Sequence, residues 1–386
     1  MYCSACVEVF THIIRERTIM FQEKTDKHNV GHKKPAPVRV DFNRLISTEM
    51  SDDVYESVEK AFGLDGFGGV IITNAPDFRK TREKVLKNMY ALSKEPREVL
   101  EAITKTDASG LHETGWSERK MNSPFGKSSN KFVSFYSRYP NETVVFPEDP
   151  EFEKGNENVW PVTIPEFRED LMNLNRLLSS PLLGLLKYFD RYLSGKIDAD
   201  KQGKFVNSFL NHYSCHHRLI GYSPLDEFGK DTEDQYLWDN WHTDFGLMGT
   251  VVHPIYLTRQ GEKQDLNTTG YVLKDRHGRE HPGVFSEDEF MITAGDAMFI
   301  ESAGYIPATP HTVRISKGMP RDLYRIQSVC FFDPNMSYRM NIPTGESFQE
   351  IIQRDPSGYD HRVMDDFKEG CYYKEFIDGL LEFLYK

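Results

Sequence analysis

From residue 205 onward the chain breaks into short runs of Val, Ile, Phe, Tyr and Leu separated by Gly, Pro and Asp clusters. That texture belongs to antiparallel strands, which must close into a barrel or jelly roll to cover their edges and bury a common inner face. The runs predicted as strands are 205–213, 247–257, 270–274, 289–293, 297–301 and 323–332. Upstream the pattern is mixed. VRVDF at 38–42 alternates as a strand, and Ser51 is placed to cap a helix striped by Val54, Val58, Ala61 and Phe62. GGVIIT at 68–73 is a glycine-flanked strand, and Val85, Leu86, Met89 and Tyr90 mark a helix that stops before Pro96. A long amphipathic pattern from Glu166 to Leu193 predicts a helix that Pro181 kinks or interrupts. The expected organisation is a leader and linker at 1–37, an N-terminal α/β region at 38–200, a β core at 201–335 and a helical tail at 336–386 that packs on it.

Composition removes several functional classes. The 386 residues carry 47 Lys and Arg against 59 Asp and Glu, a net charge of −12, which is the wrong sign for broad contact with nucleic-acid phosphates. Five cysteines are too few and odd in number for a disulfide framework, so a reducing compartment, the cytoplasm, is expected. Cys3 and Cys6 form a CxxC that no second pair or nearby histidine completes into a zinc site, and read as part of a frayed terminus. The first 20 residues lack a signal-peptide pattern, and no apolar run is long enough to span a membrane. The expected partner is a small molecule, with neither nucleic acid nor membrane; the oligomeric state is not readable.

The strongest chemical signal is WHTDFG, in which His242 and Asp244 lie two apart. On a strand, residues i and i+2 share a face, so an imidazole and a carboxylate could ligate one metal from a single edge; a surface turn would give the same letters. His311, in PATPHTVR, follows GDAMFIESAG, a strand-turn pattern that would return the chain to the same mouth. Two histidines and one carboxylate leave coordination positions open, the non-haem Fe(II) arrangement rather than a closed zinc site. In LYRIQSVCFF, Leu323, Arg325, Gln327, Val329 and Phe331 share one parity, and Ser328 points the other way. A buried Arg325 needs a carboxylate, either from the protein or from a dicarboxylate cosubstrate. Residues 104–131 read as an irregular loop near the site, where Trp116 and Arg119, with Lys120 and Phe125, are candidate substrate contacts, as is Phe245 beside the carboxylate ligand. His212, His216, His217 and His253 read as packing or surface groups, and His277 and His281 as part of a solvated hairpin.

These motifs, taken in order, carry a resemblance. VRVDF, AFGLDGFGGVIITNAP, WPVTIPEFRE, LNHYS, WHTDF, GDAMFIESAG, PHTV and RIQ follow the order of markers in the Fe(II)- and 2-oxoglutarate-dependent dioxygenases of the isopenicillin N synthase-like group, over residues 38 to about 335. The chain resembles that family, whose fold is mainly β with flanking α: a cupin-like double-stranded β-helix, or distorted jelly roll. The resemblance implies Fe(II) held by His242, Asp244 and His311, and 2-oxoglutarate anchored by Arg325. It places Tyr213 and Asn211 at the family's N-x-Y position near the cosubstrate. Gln327 stands where the family usually has Ser, and KGMPRDLY looks like a small insertion that makes Arg321 a competing anchor. The implied reaction consumes O2 and 2-oxoglutarate, releases succinate and CO2, and oxidises a small molecule, hydroxylation being the default. An iron oxygenase that uses O2 without 2-oxoglutarate, and a scaffold without turnover, are the alternatives. Substrate identity is expected to rest on the 104–131 loop, the 258–284 segment and the C-terminal helices.

Overall fold

The computed structural model describes residues 37–118, 132–228, 237–266, 268–315, 319–355, 357, 359, 361–364 and 367–385. The leader with Cys3 and Cys6, and Arg119, Lys120 and Phe125 in the middle loop, lie outside the described residues. Fifteen strands are described: β1 Val38–Asp41, β2 Gly69–Thr73, β3 Thr104–Thr106, β4 Glu113–Ser117, β5 Phe132–Tyr139, β6 Tyr213–Tyr222, β7 Leu237–His242, β8 Met248–Val252, β9 Ile255–Leu257, β10 Lys263–Gln264, β11 Tyr271–Lys274, β12 Glu280–Pro282, β13 Phe290–Ala294, β14 His311–Arg314 and β15 Tyr324–Pro334. They form a large sheet in the order β1-β2-β13-β8-β15-β6-β5-β4-β3, with β9 and β10 alongside β15, and a small sheet in the order β12-β11-β14-β7.

The two sheets face each other, as the buried apolar clusters between them establish. Tyr271 and Leu273 of the small sheet pack on Ile71, Val251 and Met291 of the large one. Trp238 and Val313 meet Ile220, Tyr222 and Tyr256 in the same way. This is the expected distorted jelly roll, and β1 and β2 from the 38–200 region extend its large sheet beside β13.

The other face of the large sheet is covered by the helix Phe167–Leu193, which runs through Pro181 without a break. Proline in a helix interior costs about 3 kcal/mol. The same helix buries Leu174, Leu178, Leu182 and Leu185 completely, at roughly 2 kcal/mol each, so packing outweighs the missing hydrogen bond. Odd-numbered residues of β6 face this helix: His217 sits between Asn175 and Ser328, bonding Ser328 Oγ at 2.6 Å. That contact also puts Ser328 opposite in direction to Gln327, as strand parity requires.

Two predicted strands are helices. Residues 204–209 form the short helix Lys204–Phe209, because the Asp190 carboxylate on the long helix accepts hydrogen bonds from the amides of Phe205 and Val206, both at 2.9 Å. Residues 296–301 form the helix Asp296–Glu301, completely buried, so its continuous apolar run AMFI carried no period to separate it from a buried strand. Among the described residues no helix is long and apolar enough to cross a membrane.

Candidate active site

His242 ends β7, His311 begins β14, and the two are direct cross-strand partners in the small sheet. Their rings lie 4.3 Å apart between centroids. Each ring uses Nδ1 to reach a backbone carbonyl two residues earlier in the chain, His242 to Asn240 O at 2.7 Å and His311 to Thr309 O at 3.0 Å. Those bonds make Nδ1 the donor on both rings and leave Nε2 as the nitrogen that a metal would use.

Asp244 arrives differently from the sequence expectation. It lies beyond the end of β7, in a turn, so strand parity is not what brings it to His242. The turn is held by the N-terminus of the helix Asp296–Glu301, whose Asp296 amide donates to Asp244 O at 2.8 Å and whose Ala297 amide donates to Phe245 O at 3.1 Å. Gly295 makes this approach possible: a Cβ there would lie 2.3 Å from Gly246 O and 2.7 Å from Asp244 O. Asp244 Oδ1 then stands 3.6 Å from His311 Nε2, and one donor atom from each of the three residues falls within 4.8 Å of the others.

His311 is buried, His242 and Asp244 are half-buried, and this burial acts on their protonation. It pushes the Asp244 carboxyl up to about 6, against the pull of the His242 charge, and pushes the His311 imidazole down to about 3. For His242, burial works downward, but Asp239 and Asp244 prevail and hold it above its usual range. At neutral pH the cluster therefore presents an ionised carboxylate and a neutral His311, a nitrogen–oxygen donor set suited to a divalent first-row metal.

Gly249 of β8 lies directly against this carboxylate, and a Cβ on it would come within 2.1 Å of Asp244 Oδ2. Because the clash is with the end of a side chain rather than with backbone, Gly249→Ala is expected to leave folding nearly unchanged and to displace the ligand oxygen. A drop of about tenfold or more in Fe(II) affinity, with a circular dichroism melt like that of the wild type, is the expected result; equal affinities would contradict this account of the clash.

Arg325 is fully buried on β15, where its Nη2 donates to Thr269 O at 2.8 Å and to Gln327 Oε1. Gln327 is held in turn by Nε2 donating to Val252 O at 3.1 Å. The guanidinium lies 5.1 Å from the Tyr222 ring and 5.3 Å from the Trp238 ring, and its Nε and Nη1 find no hydrogen-bond partner. Trp238 Nε1 beside it is likewise buried without an acceptor. Among the described residues no carboxylate pairs with Arg325, so its buried charge has no acidic partner among them. Arg321 is exposed and directs a donor to Leu225 O at 3.1 Å, which removes it as a buried anchor.

Tyr213 and Asn211 require correction. Tyr213 stacks on Phe332 at 5.0 Å, on the helix-covered side of the sheet, and Asn211 is an exposed residue before β6 begins. The residues of β6 that face the site have the opposite parity: His216, Arg218 and Tyr222. Tyr222, paired with Arg325 across β6 and β15, takes the place expected of Tyr213, and parity counted back from Arg325 along that pair is the signal that would have found it.

A cavity of about 190 Å3 opens beside His242 and Asp244. Phe245 lines it; Trp116 does not, being a core residue of β4 at 3% exposure. Leu111 and Glu113 enter from the middle loop, and Tyr359, Tyr373, Ile377 and Leu381 enter from the C-terminal segment. The 258–284 segment contributes nothing to it, because it folds into β10, β11 and β12 elsewhere. The helix Tyr373–Tyr385 is tied over the cavity by Asp378, which bonds His112 Nε2 at 2.7 Å. His281, expected in solvent, is buried and bonds Asp275 at 2.7 Å.

The fold is that of the 2OG-Fe(II) oxygenases among solved structures. A full-length Neurospora crassa protein solved with alpha-KG and thymine is 17% identical, with a TM-score of 0.63 over 92% of this chain and 98% of its own. A Caulobacter crescentus protein assigned to the 2OG-Fe(II) oxygenase family is 15% identical, with a TM-score of 0.62 over 91% of this chain and 100% of its own. JOX2, solved with 2OG, Fe and JA, is 13% identical, with a TM-score of 0.54 over 93% of this chain and 96% of its own. No family model matches the sequence, and no curated protein does.

Proposed function

We propose that this protein is a non-haem Fe(II) dioxygenase that couples 2-oxoglutarate decarboxylation to the oxidation, by default hydroxylation, of a small organic substrate. The observation that carries this reading is the pairing of two unfilled requirements in one jelly roll: three convergent metal donors, and a buried arginine with two unpartnered nitrogens. Solved neighbours of the same fold are described with alpha-KG, and one with Fe as well, which supports the same assignment.

His242, Asp244 and His311 would hold the iron through two Nε2 atoms and one carboxylate oxygen. When bound, iron with 2-oxoglutarate and O2 supplies the oxidant, with succinate and CO2 as products. The chain's own part is binding, orientation and exclusion of water. Arg325 would take the distal carboxylate of 2-oxoglutarate with its unpartnered Nη1, while Gln327 and Thr269 O hold the guanidinium plane in place through Nη2. The Tyr222, Trp238 and Tyr256 rings around it exclude water, so the ion pair forms at low dielectric. Phe245 and Phe331 wall the cavity on the metal side and would keep the substrate carbon near the open positions.

The test is an anaerobic titration of metal-free protein with Fe(II) and then with 2-oxoglutarate. A saturable visible charge-transfer band that His311→Ala abolishes is the expected outcome. Iron binding without a band would refute the 2-oxoglutarate part and favour an O2-only oxygenase, and failure to bind iron would refute the enzyme reading.

A further inference from the structure

The strands bring four residues into one row across the large sheet. Arg138 of β5 pairs with His216 of β6, His216 with Phe331 of β15, and Phe331 with Gly249 of β8. Residues directly opposite in a sheet project to the same face, and Gly249 is the residue on which Asp244 rests. Arg138 therefore stands in line with the metal donors, three strand spacings or roughly 14 Å from Gly249 along the sheet, and it lines the same cavity.

Arg138 is 1% exposed, and its Nε and Nη2 have no hydrogen-bond partner. No carboxylate of the described residues lies within ion-pair distance of it. Its backbone is pinned on both sides by one side chain: Asn158 Oδ1 accepts from the Arg138 amide at 2.7 Å, and Asn158 Nδ2 donates to the Arg138 carbonyl at 3.0 Å. The facing Asp333 is already engaged by the Tyr373 hydroxyl at 2.8 Å, and burial pushes its carboxyl up to about 7. His216 Nε2, next in the row, is also buried without a partner. Phe245, Phe331, Ile377 and Leu381 give the cavity its apolar wall, while Glu113, Arg218, Asp239 and Asn240 line it elsewhere. A buried guanidinium on a pinned backbone, with Nε and Nη2 unpartnered along one edge, offers two parallel donors to an anion.

We infer that Arg138 binds the carboxylate of the substrate, and that the substrate class is a small monocarboxylic acid with an apolar body lying between Arg138 and the metal end of the cavity. This rests on the proposed oxygenase function for its chemistry, and on the cavity alone for its binding. It is distinct from Arg325, which lies six residues before Phe331 on β15, roughly 20 Å along the strand.

The full-length protein is probed with phenylacetate, 3-phenylpropionate and 4-phenylbutyrate, each beside its primary amide. Binding is read by ligand-observed NMR, with and without Fe(II) and 2-oxoglutarate. The best acid is expected to bind at least tenfold tighter than its amide, and Arg138→Met is expected to bring the two within about twofold. Metal-free Arg138→Met should melt no lower than wild type, since an unspent buried charge is removed; an arginine with only a structural role would lower the melt on replacement. Arg138→Lys, which keeps the charge without the fork, should retain a weakened acid preference and stands in if the Met variant does not fold. Acids bound no better than amides, acids not bound at all, or an acid preference that survives Arg138→Met would each overturn the inference. An acid preference in protein that forms no iron–2-oxoglutarate band would keep this site and refute the oxygenase reading; a band without an acid preference would do the reverse.

Discussion

Asp244→Asn is expected to weaken Fe(II) binding by roughly 100-fold or more and, in the metal-free state, to stabilise the protein at neutral pH. The first effect follows from losing the only anionic donor of the three. The second follows from burial, which holds the Asp244 carboxyl at about 6 against a usual 3.8. Below about pH 3 the group is protonated both folded and unfolded and contributes almost nothing. As pH rises toward 6 the unfolded chain ionises first, so stability is lost, and above 6 the full penalty of roughly 3 kcal/mol remains. Asparagine has no proton to lose. Urea denaturation of metal-free wild type and variant should therefore give curves that come together near about pH 3 and separate by about 7, with the variant the more stable. Saturating Fe(II) should reverse the order at neutral pH by binding the folded wild type alone. A variant that binds iron like wild type would sink the ligand assignment, and curves that coincide at neutral pH would sink the electrostatic account of the site.

Arg325→Met should raise the dissociation constant of 2-oxoglutarate about 100-fold or more while Fe(II) binding stays near the wild-type value. Truncating one partner of a buried charge pair costs about 2–5 kcal/mol, and each 1.4 kcal/mol is tenfold in affinity. Methionine fills much of the space between the Tyr222 and Trp238 rings, so the loss reports the charge rather than a cavity. Arg325→Lys is expected to recover only part of the affinity, because an ammonium lacks the planar group that Thr269 O and Gln327 hold in orientation. Titration of 2-oxoglutarate into the iron-loaded variant gives the answer; affinity within about threefold of wild type would remove Arg325 as the anchor.

How much of this was legible in the sequence differs from element to element. The β texture after residue 205 and the WHTDF and PHTV segments pointed to the jelly roll and the metal cluster. The parity of RIQSVCFF placed Arg325, Gln327 and Phe331 on one face and Ser328 on the other, as found. Where local pattern failed, a distant partner had decided. KFVNSF is helical because Asp190 caps it, and DAMFIE because complete burial leaves neither a 2-residue nor a 3.6-residue period to read. Tyr213 was mistaken for a site residue because N-x-Y fixes spacing but not the side of a sheet, and only the pairing of Arg325 with Tyr222 shows which parity of β6 faces inward.

The sequence by itself determined the residue types that could bind a metal and a dicarboxylate, together with the strand periods that carry most of them, because period and chemistry are local properties. Tertiary structure alone decided that Asp244 reaches the histidines through a turn seated on a helix N-terminus, and that Arg138, His216, Phe331 and Gly249 form one row. Register between strands far apart in the chain is fixed by which faces are buried together and by close approaches such as Gly295 on Gly246, and neither is written in any single segment.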